Sequence, residues 1–117
     1  MVNQAAIQKN DFVFFKTHNS ERLSKQAPFT EDYVYIEPAA AMALLQKEVR
    51  MVGIDYISVD AYTSETLPVH QALLENNVLI VENLELNGID PGRCQLQVIP
   101  LNIPHMDGLP ARVYMTR

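Results

Sequence analysis

The most informative stretch of this sequence is residues 68–84, which read PVHQALLENNVLIVENL. The first half predicts a short helix, because Pro68 suits a first helical turn and Asn76-Asn77 suits a left-handed helix end. The second half contains Val78 to Val81, which are all apolar and predict a strand covered on both faces. We therefore expect a helix, a tight turn and a buried strand in succession.

The residues before this stretch complete a strand-helix-strand unit. Residues 51–55 are a short apolar run, typical of a buried parallel strand, and residues 56–62 are expected to form a loop. Ser64 or Thr66 can cap the helix that follows. The connection between the two parallel strands is expected to be right-handed.

Further elements are predicted upstream. Aromatic and β-branched side chains at residues 11–17 predict a strand. The polar segment 18–30 is expected to be a loop. Apolar side chains at helical spacing predict a helix that begins at Glu37-Pro38 and ends near Arg50.

The C-terminal part predicts two strands, residues 95–101 and 111–115, which the proline and glycine residues between them suggest are antiparallel. Helices and strands alternate before this pair. The whole pattern therefore predicts an α/β fold with a mixed sheet that contains a βαβ unit.

Composition and charge exclude several classes of protein. The chain has 9 Lys and Arg against 14 Asp and Glu, a net charge of −5, which argues against a surface for nucleic acid or anionic membranes. No apolar run approaches the roughly 20 residues of a membrane span, and residues 1–10 lack a signal-peptide pattern. The one cysteine, Cys94, excludes an internal disulfide, so we expect a cytoplasmic protein.

His70 and Glu82 are candidate metal ligands. In a parallel βαβ unit the helix starts above the carboxyl edge of the sheet and the next strand returns to it, so both residues belong at this edge. Asp55 ends the preceding strand and reaches the same edge. An imidazole and a carboxylate suit zinc or manganese. Two ligands do not define a site, however, and such residues are more often a surface histidine and a solvated glutamate.

Other polar residues have weaker claims. His18 follows the first strand and could line a substrate site, while Ser58 and Asp60 are expected to order the loop over the site. His105 and Asp107 could act as replacement ligands, but their Pro- and Gly-flanked segment is more typical of a surface turn.

Several motifs together resemble one family. They are VGIDYISVD at 52–60, the stretch from Pro68 to Leu84, and IPLNI at 99–103 with DGLPAR at 107–112; the strand at 11–17 also matches, with Asn10 in place of a glycine. In this order they resemble the cyclase family of metal-dependent hydrolases, which includes bacterial kynurenine formamidase.

The resemblance implies a swivelling β/β/α fold and a metal centre. His70 and Glu82 match the positions of two family ligands of zinc or manganese. The implied activity is hydrolysis of an amide, such as N-formylkynurenine, or a related ring opening, in which the metal activates water and polarises the carbonyl.

The sequence departs from the family in one respect. Members carry an N-terminal His-x-Gly-Thr-His-x-Asp-x-Pro-x-His motif that supplies most ligands, and nothing like it occurs here, where the histidines are His18, His70 and His105. We therefore expect residues 1–117 to be a single domain that corresponds to the C-terminal part of a family member, with weak or absent metal binding and no catalytic residue assigned.

Three functional hypotheses follow. The chain is a fragment or truncated homologue of an arylformamidase-like hydrolase, not competent alone; or a non-catalytic scaffold that self-associates; or one half of a split hydrolase, completed by a separate chain that supplies the missing N-terminal part. Unpaired strand edges and exposed apolar surface favour a homo-oligomer.

Overall fold

The computed structural model describes residues 6–117. Its elements in chain order are β1 (Phe12–Phe15), α1 (Asn19–Ser24), α2 (Pro38–Gln46), β2 (Met51–Ile54), α3 (Pro68–Glu75), β3 (Leu79–Val81), β4 (Gln95–Pro100) and β5 (Ala111–Thr116). Strands β1, β2 and β3 form a parallel sheet in that order, and β4 and β5 form an antiparallel hairpin. No helix in this part of the chain is long and apolar enough to cross a membrane. Two predictions extend over residues 1–5, which lie outside the described residues. They are the single domain over residues 1–117 and the lack of a signal-peptide pattern in residues 1–10.

The predicted α/β fold is confirmed, and β2, α3 and β3 form its βαβ unit. The parallel and antiparallel strands occupy two separate sheets. The helices α2 and α3 pack on one face of the parallel sheet. The parallel sheet, the segment after β3 and the hairpin line two clefts. This arrangement has the β/β/α character that the family resemblance implies.

The core lies between the helices and one face of the parallel sheet. Val52 and Ile54 of β2 pack there with Leu44 of α2 and with Val69 and Leu73 of α3, all with almost no exposed surface. Full burial of one such side chain stabilises the fold by about 1.5–3 kcal/mol. This packing holds α3 against β2 and so determines where the first turn of α3 lies.

The chain after β3 packs against the other face of the sheet at Gly53. A Cβ added at Gly53 would lie 2.6 Å from both Leu84 Cδ1 and Phe14 Cδ1, so these two side chains meet above a position that only glycine can occupy without a shift. Arg93 then donates hydrogen bonds of 2.8 and 3.0 Å to Asp11, which ties the start of the hairpin to the start of β1.

Three local predictions are wrong. The segment 18–30, expected to be a loop, contains α1. The strand β3 is not covered on both faces, since it is an edge strand of the sheet and Leu79 is 59% exposed. The helix α2 ends at Gln46 rather than near Arg50, because Glu48 adopts a left-handed conformation with φ of 54°.

Candidate metal centre

His70 and Glu82 lie side by side at the carboxyl edge of the parallel sheet. His70 is in the first turn of α3, and Glu82 follows the last residue of β3. The Nε2 atom of His70 is 3.2 Å from Oε1 of Glu82. The predicted placement of the pair is therefore confirmed, whereas its role as a metal ligand pair stays a prediction.

Asp60 holds the other side of the His70 ring. Its Oδ2 atom is 2.7 Å from His70 Nδ1 and also accepts a 2.9 Å hydrogen bond from the His70 backbone N–H. Its Oδ1 atom accepts a 2.9 Å bond from the Val69 backbone N–H. The Asp60 side chain is only 2% exposed, so these contacts are buried and the ring has a defined orientation.

Asp60, rather than Ser64 or Thr66 as expected from the sequence, caps α3. The residue at the N-cap position is Leu67, which has a left-handed φ of 48° and no capping side chain. The Ser64 hydroxyl accepts a bond from the Leu67 N–H instead. Because the free N–H groups of α3 point at the Asp60 carboxylate, that negative charge lies at the positive end of the helix dipole.

Glu82 is held by the loop between β2 and α3. Its Oε1 atom accepts a 3.0 Å hydrogen bond from the Val59 backbone N–H while it faces His70. The same loop is ordered by Ser58, whose hydroxyl accepts a bond from the Asp60 N–H. The expected role of Ser58 and Asp60 in ordering this loop agrees with these contacts.

The arrangement fits a metal ligand pair. Zinc ligands at about 2.0–2.1 Å in tetrahedral geometry lie about 3.3 Å from one another, close to the 3.2 Å between His70 Nε2 and Glu82 Oε1. Metal-binding histidines commonly donate their second ring N–H to a carboxylate, which fixes the tautomer and makes the imidazole a better donor. Asp60 occupies this position opposite Glu82.

The pair is incomplete as a metal site. Asp60 and Glu82 lie at opposite nitrogens of the His70 ring, so the three side chains do not converge on one point. Within residues 6–117, no three His, Cys, Asp or Glu side chains are grouped so that they could hold a metal ion. Metal sites in proteins normally use at least three protein ligands.

A buried tyrosine adjoins the centre. The Tyr33 hydroxyl donates a 2.8 Å hydrogen bond to the Asp60 backbone carbonyl. Burial raises the pKa of Tyr33, and the negative charges of Glu82 and Asp60 raise this pKa further, although a hydrogen bond with Ser58 opposes the shift. Tyr33 is therefore a neutral hydrogen-bond donor at neutral pH.

Asp55 serves a different element. It lies at the predicted edge, but its buried carboxylate accepts hydrogen bonds from the backbone N–H and the hydroxyl of both Thr17 and Ser20, at 2.6–3.0 Å. Asp55 thus stabilises the start of α1. Its carboxylate has four partners there and is not in contact with His70 or Glu82 in the structure.

The remaining candidates lie apart from the centre. His18 is exposed at the N-cap of α1 and makes no capping hydrogen bond. His105 and Asp107 are exposed between the two strands of the hairpin, as expected for a surface turn. The contact between Asp60 and His70 does not follow from the sequence, because ten residues separate them and no periodic pattern links them.

Comparisons with known proteins identify relatives of this chain. The family model described as "Putative cyclase" matches residues 2–61. Kynurenine formamidase of Geobacillus thermodenitrificans is 36% identical over 94 residues, which cover 80% of this chain and 45% of that protein. Cyclase-like protein 3 of Oryza sativa subsp. japonica is 34% identical over 108 residues, which cover 90% of this chain and 40% of that protein.

The fold is shared with solved structures. One, described as a potential metal-dependent hydrolase with cyclase activity, matches with a TM-score of 0.87 and 34% identity, and the match covers 97% of this chain and 54% of that one. A second, described as a predicted metal-dependent hydrolase from Bacillus stearothermophilus, gives a TM-score of 0.85 at the same identity. The chain spans about half the length of the curated relatives it matches.

Proposed function

Because the chain belongs to the cyclase family, we propose that it carries part of the metal centre of an amide hydrolase related to kynurenine formamidase. One observation carries the proposal: His70 lies between Asp60 on Nδ1 and Glu82 on Nε2, at 2.7 and 3.2 Å. A carboxylate behind an imidazole, with a second carboxylate beside its free nitrogen, provides two donors of the types that zinc and manganese sites use.

Each residue has a defined part in this proposal. His70 Nε2 and Glu82 Oε1 would hold the metal, and Asp60 would keep the ring proton on Nδ1 so that Nε2 is free to bind. The Val59 N–H positions the Glu82 carboxylate. A zinc or manganese ion supplies Lewis acidity toward the carbonyl of an amide and lowers the pKa of water.

The chain is not expected to turn over substrate alone, because no three His, Cys, Asp or Glu side chains among the described residues are grouped so that they could hold a metal ion. The test is hydrolysis of N-formylkynurenine by the purified chain with added zinc or manganese. We expect no turnover above that of the His70→Ala variant. Clear turnover that His70→Ala abolishes would contradict the expectation that the chain alone is inactive. It would leave the metal assignment intact.

The metal assignment is tested by calorimetric titration of the purified chain with Zn²⁺ or Mn²⁺. We expect weak binding that His70→Ala and Glu82→Gln each remove. His105→Ala is the matched control, since His105 is exposed on the hairpin and should not affect binding. Equal binding by all four proteins would overturn the proposal.

A second candidate is that another polypeptide chain covers this one, either as a second copy or as a separate chain that completes the centre. Clefts of about 760 and 870 Å³ lie between the parallel sheet and the hairpin, lined largely by apolar side chains. Ile99 and Tyr114 are exposed on one face of the hairpin, and Leu101 is exposed just after β4. We favour a second copy as the occupant, because an exposed strand edge can pair with its own copy about a two-fold axis.

A further inference from the structure

We propose that Leu67 and Asn83 are positioning residues, whose left-handed backbone conformation fixes the two proposed metal ligands. Among residues 6–117, seven residues other than glycine have a positive φ angle, and these two lie next to the candidate centre. Asn83 directly follows Glu82, and Leu67 is the N-cap of the helix that carries His70 in its first turn. Rare backbone conformations persist only where the surrounding contacts hold them, and they are concentrated at functional sites.

Asn83 turns the chain back onto the end of β2. Its φ angle is 56°, and its N–H donates a 2.8 Å hydrogen bond to the Tyr56 carbonyl, while the N–H of Leu84 donates a 3.2 Å bond to the Ile54 carbonyl. Successive N–H groups of an extended strand point to opposite sides, so both bonds form together only because the chain turns at Asn83. The backbone of Glu82 is thereby held between β3 and these two bonds.

This anchoring aims the Glu82 side chain. Ile80 of β3 packs against the core under the helices, and Glu82, two residues later, points to the same face. Its Oε1 atom lies 3.0 Å from the Val59 nitrogen and 3.2 Å from His70 Nε2. Asparagine is one of the few residues besides glycine that adopt the left-handed conformation readily. The Asn83 side chain is exposed, so its backbone conformation rather than its packing explains its place here.

Leu67 has the corresponding role for His70. Its φ and ψ angles are 48° and 57°, although it precedes Pro68, and a residue before proline is normally extended. Because its side chain is 43% exposed, packing contributes little to this conformation. The Leu67 N–H donates to the Ser64 hydroxyl, and the first N–H groups of α3 donate to Asp60. Relaxation to an extended conformation would move the first turn of α3, and His70 with it, away from Asp60.

The inference rests on the proposed function, because it concerns the aim of the two proposed ligands, but its test uses the chain in EDTA, without metal. A β-branched residue disfavours the left-handed region. We therefore expect about tenfold faster amide exchange at Val59 in Asn83→Val, because the bond to the Glu82 carboxylate is lost. Leu67→Val should lose the preference of the His70 proton for Nδ1, which ¹⁵N NMR of the imidazole reports. Glycine at either position tolerates the turn, so Asn83→Gly and Leu67→Gly should keep the original values.

Asn77→Val is the matched control. Asn77 is also an exposed asparagine, with a φ of 58° and an N–H that donates a 3.0 Å bond to the Leu74 carbonyl, but it lies at the other end of α3. It should lower the melting temperature about as Asn83→Val does and leave Val59 exchange and the His70 tautomer as in the original chain.

Two results would overturn the positioning roles. One is Val59 exchange in Asn83→Val equal to that in Asn77→Val, together with an unchanged His70 tautomer in Leu67→Val. The other is a glycine variant that shifts either readout as valine does. Asn83→Ala replaces Asn83→Val if melting curves show that the latter does not fold. Since these measurements need no metal, failure of the metal titration and failure of the positioning roles are separate results.

Discussion

At the scale of single residues, Asp60 connects two functions of the structure. Its carboxylate accepts three hydrogen bonds, two that cap α3 and one that orients the His70 ring. The proposed metal ligand and the start of the helix that carries it therefore depend on one buried side chain. An asparagine has the same shape, but its amide nitrogen cannot accept hydrogen bonds.

Asp60→Asn should destabilise the chain by about 2–3 kcal/mol, because a buried N–H of α3 or the His70 ring loses its acceptor. Urea unfolding measures the change, and ¹⁵N NMR of the imidazole reports whether Nδ1 keeps its proton. Asp107→Asn on the exposed hairpin turn is the control and should change neither readout. An unaltered His70 tautomer in Asp60→Asn would contradict the positioning role of Asp60.

Gly53 permits a close approach across the sheet. An added methyl group would lie 2.6 Å from Leu84 and Phe14, so Gly53→Ala should destabilise the chain by about 1–3 kcal/mol through overpacking. Gly108 has no atom within 4 Å of the same added group, which makes Gly108→Ala the matched control. Thermal unfolding of the two variants checks the difference, and equal stability would show that Leu84 and Phe14 move aside without cost.

At the scale of elements, α1 and α3 are capped in the same way. Neither helix has a capping side chain at its own N-cap, and each is capped instead by an aspartate from the loop after β2. Asp55 serves α1 and Asp60 serves α3. The loop that follows the central strand thereby sets the starts of both helices around the carboxyl edge.

Asp55→Asn should loosen α1, because the amide cannot accept all four of the hydrogen bonds that Thr17 and Ser20 donate. We expect a loss of about 2–4 kcal/mol in unfolding free energy, since buried donors lose their partners. Relative to the original chain, the Asp55→Asn variant should show a larger increase in amide hydrogen exchange in α1 than in α3. Glu21→Gln, which removes only an exposed ion pair with Lys25, should have little effect on either measurement.

At the scale of the whole molecule, one side is well packed and the other is open. The helices cover one face of the parallel sheet, whereas the hairpin borders two clefts and exposes apolar side chains on its outer face. An isolated two-stranded sheet is marginally stable in water. Association would cover this surface.

We therefore expect a homodimer or a larger assembly in sedimentation velocity at micromolar concentration. Ile99→Glu/Leu101→Glu should shift the chain toward monomer, because both side chains lie exposed on the hairpin or at its end. Met42→Glu is the control, since Met42 is equally exposed but lies on α2. A monomer at this concentration would argue against the scaffold hypothesis and leave the completing chain as the alternative.

Much of this protein follows from local patterns in the sequence. Pro68, the apolar run after Asn77 and the apolar run at 51–54 predicted the βαβ unit, and the geometry of that unit placed His70 and Glu82 at one edge. This was possible because helix starts, strand runs and left-handed ends depend on near neighbours along the chain, and parallel strands must end at a common edge.

Other features depend on contacts between distant residues. The helix α1 forms in a polar segment because Asp55, some 35 residues away, accepts its hydrogen bonds. The orientation of His70 comes from Asp60 across a loop, and the exposure of Leu79 comes from the edge position of β3. Side chains that cap, orient or cover from far along the chain leave no periodic signal in the sequence, so the tertiary structure was needed to identify them.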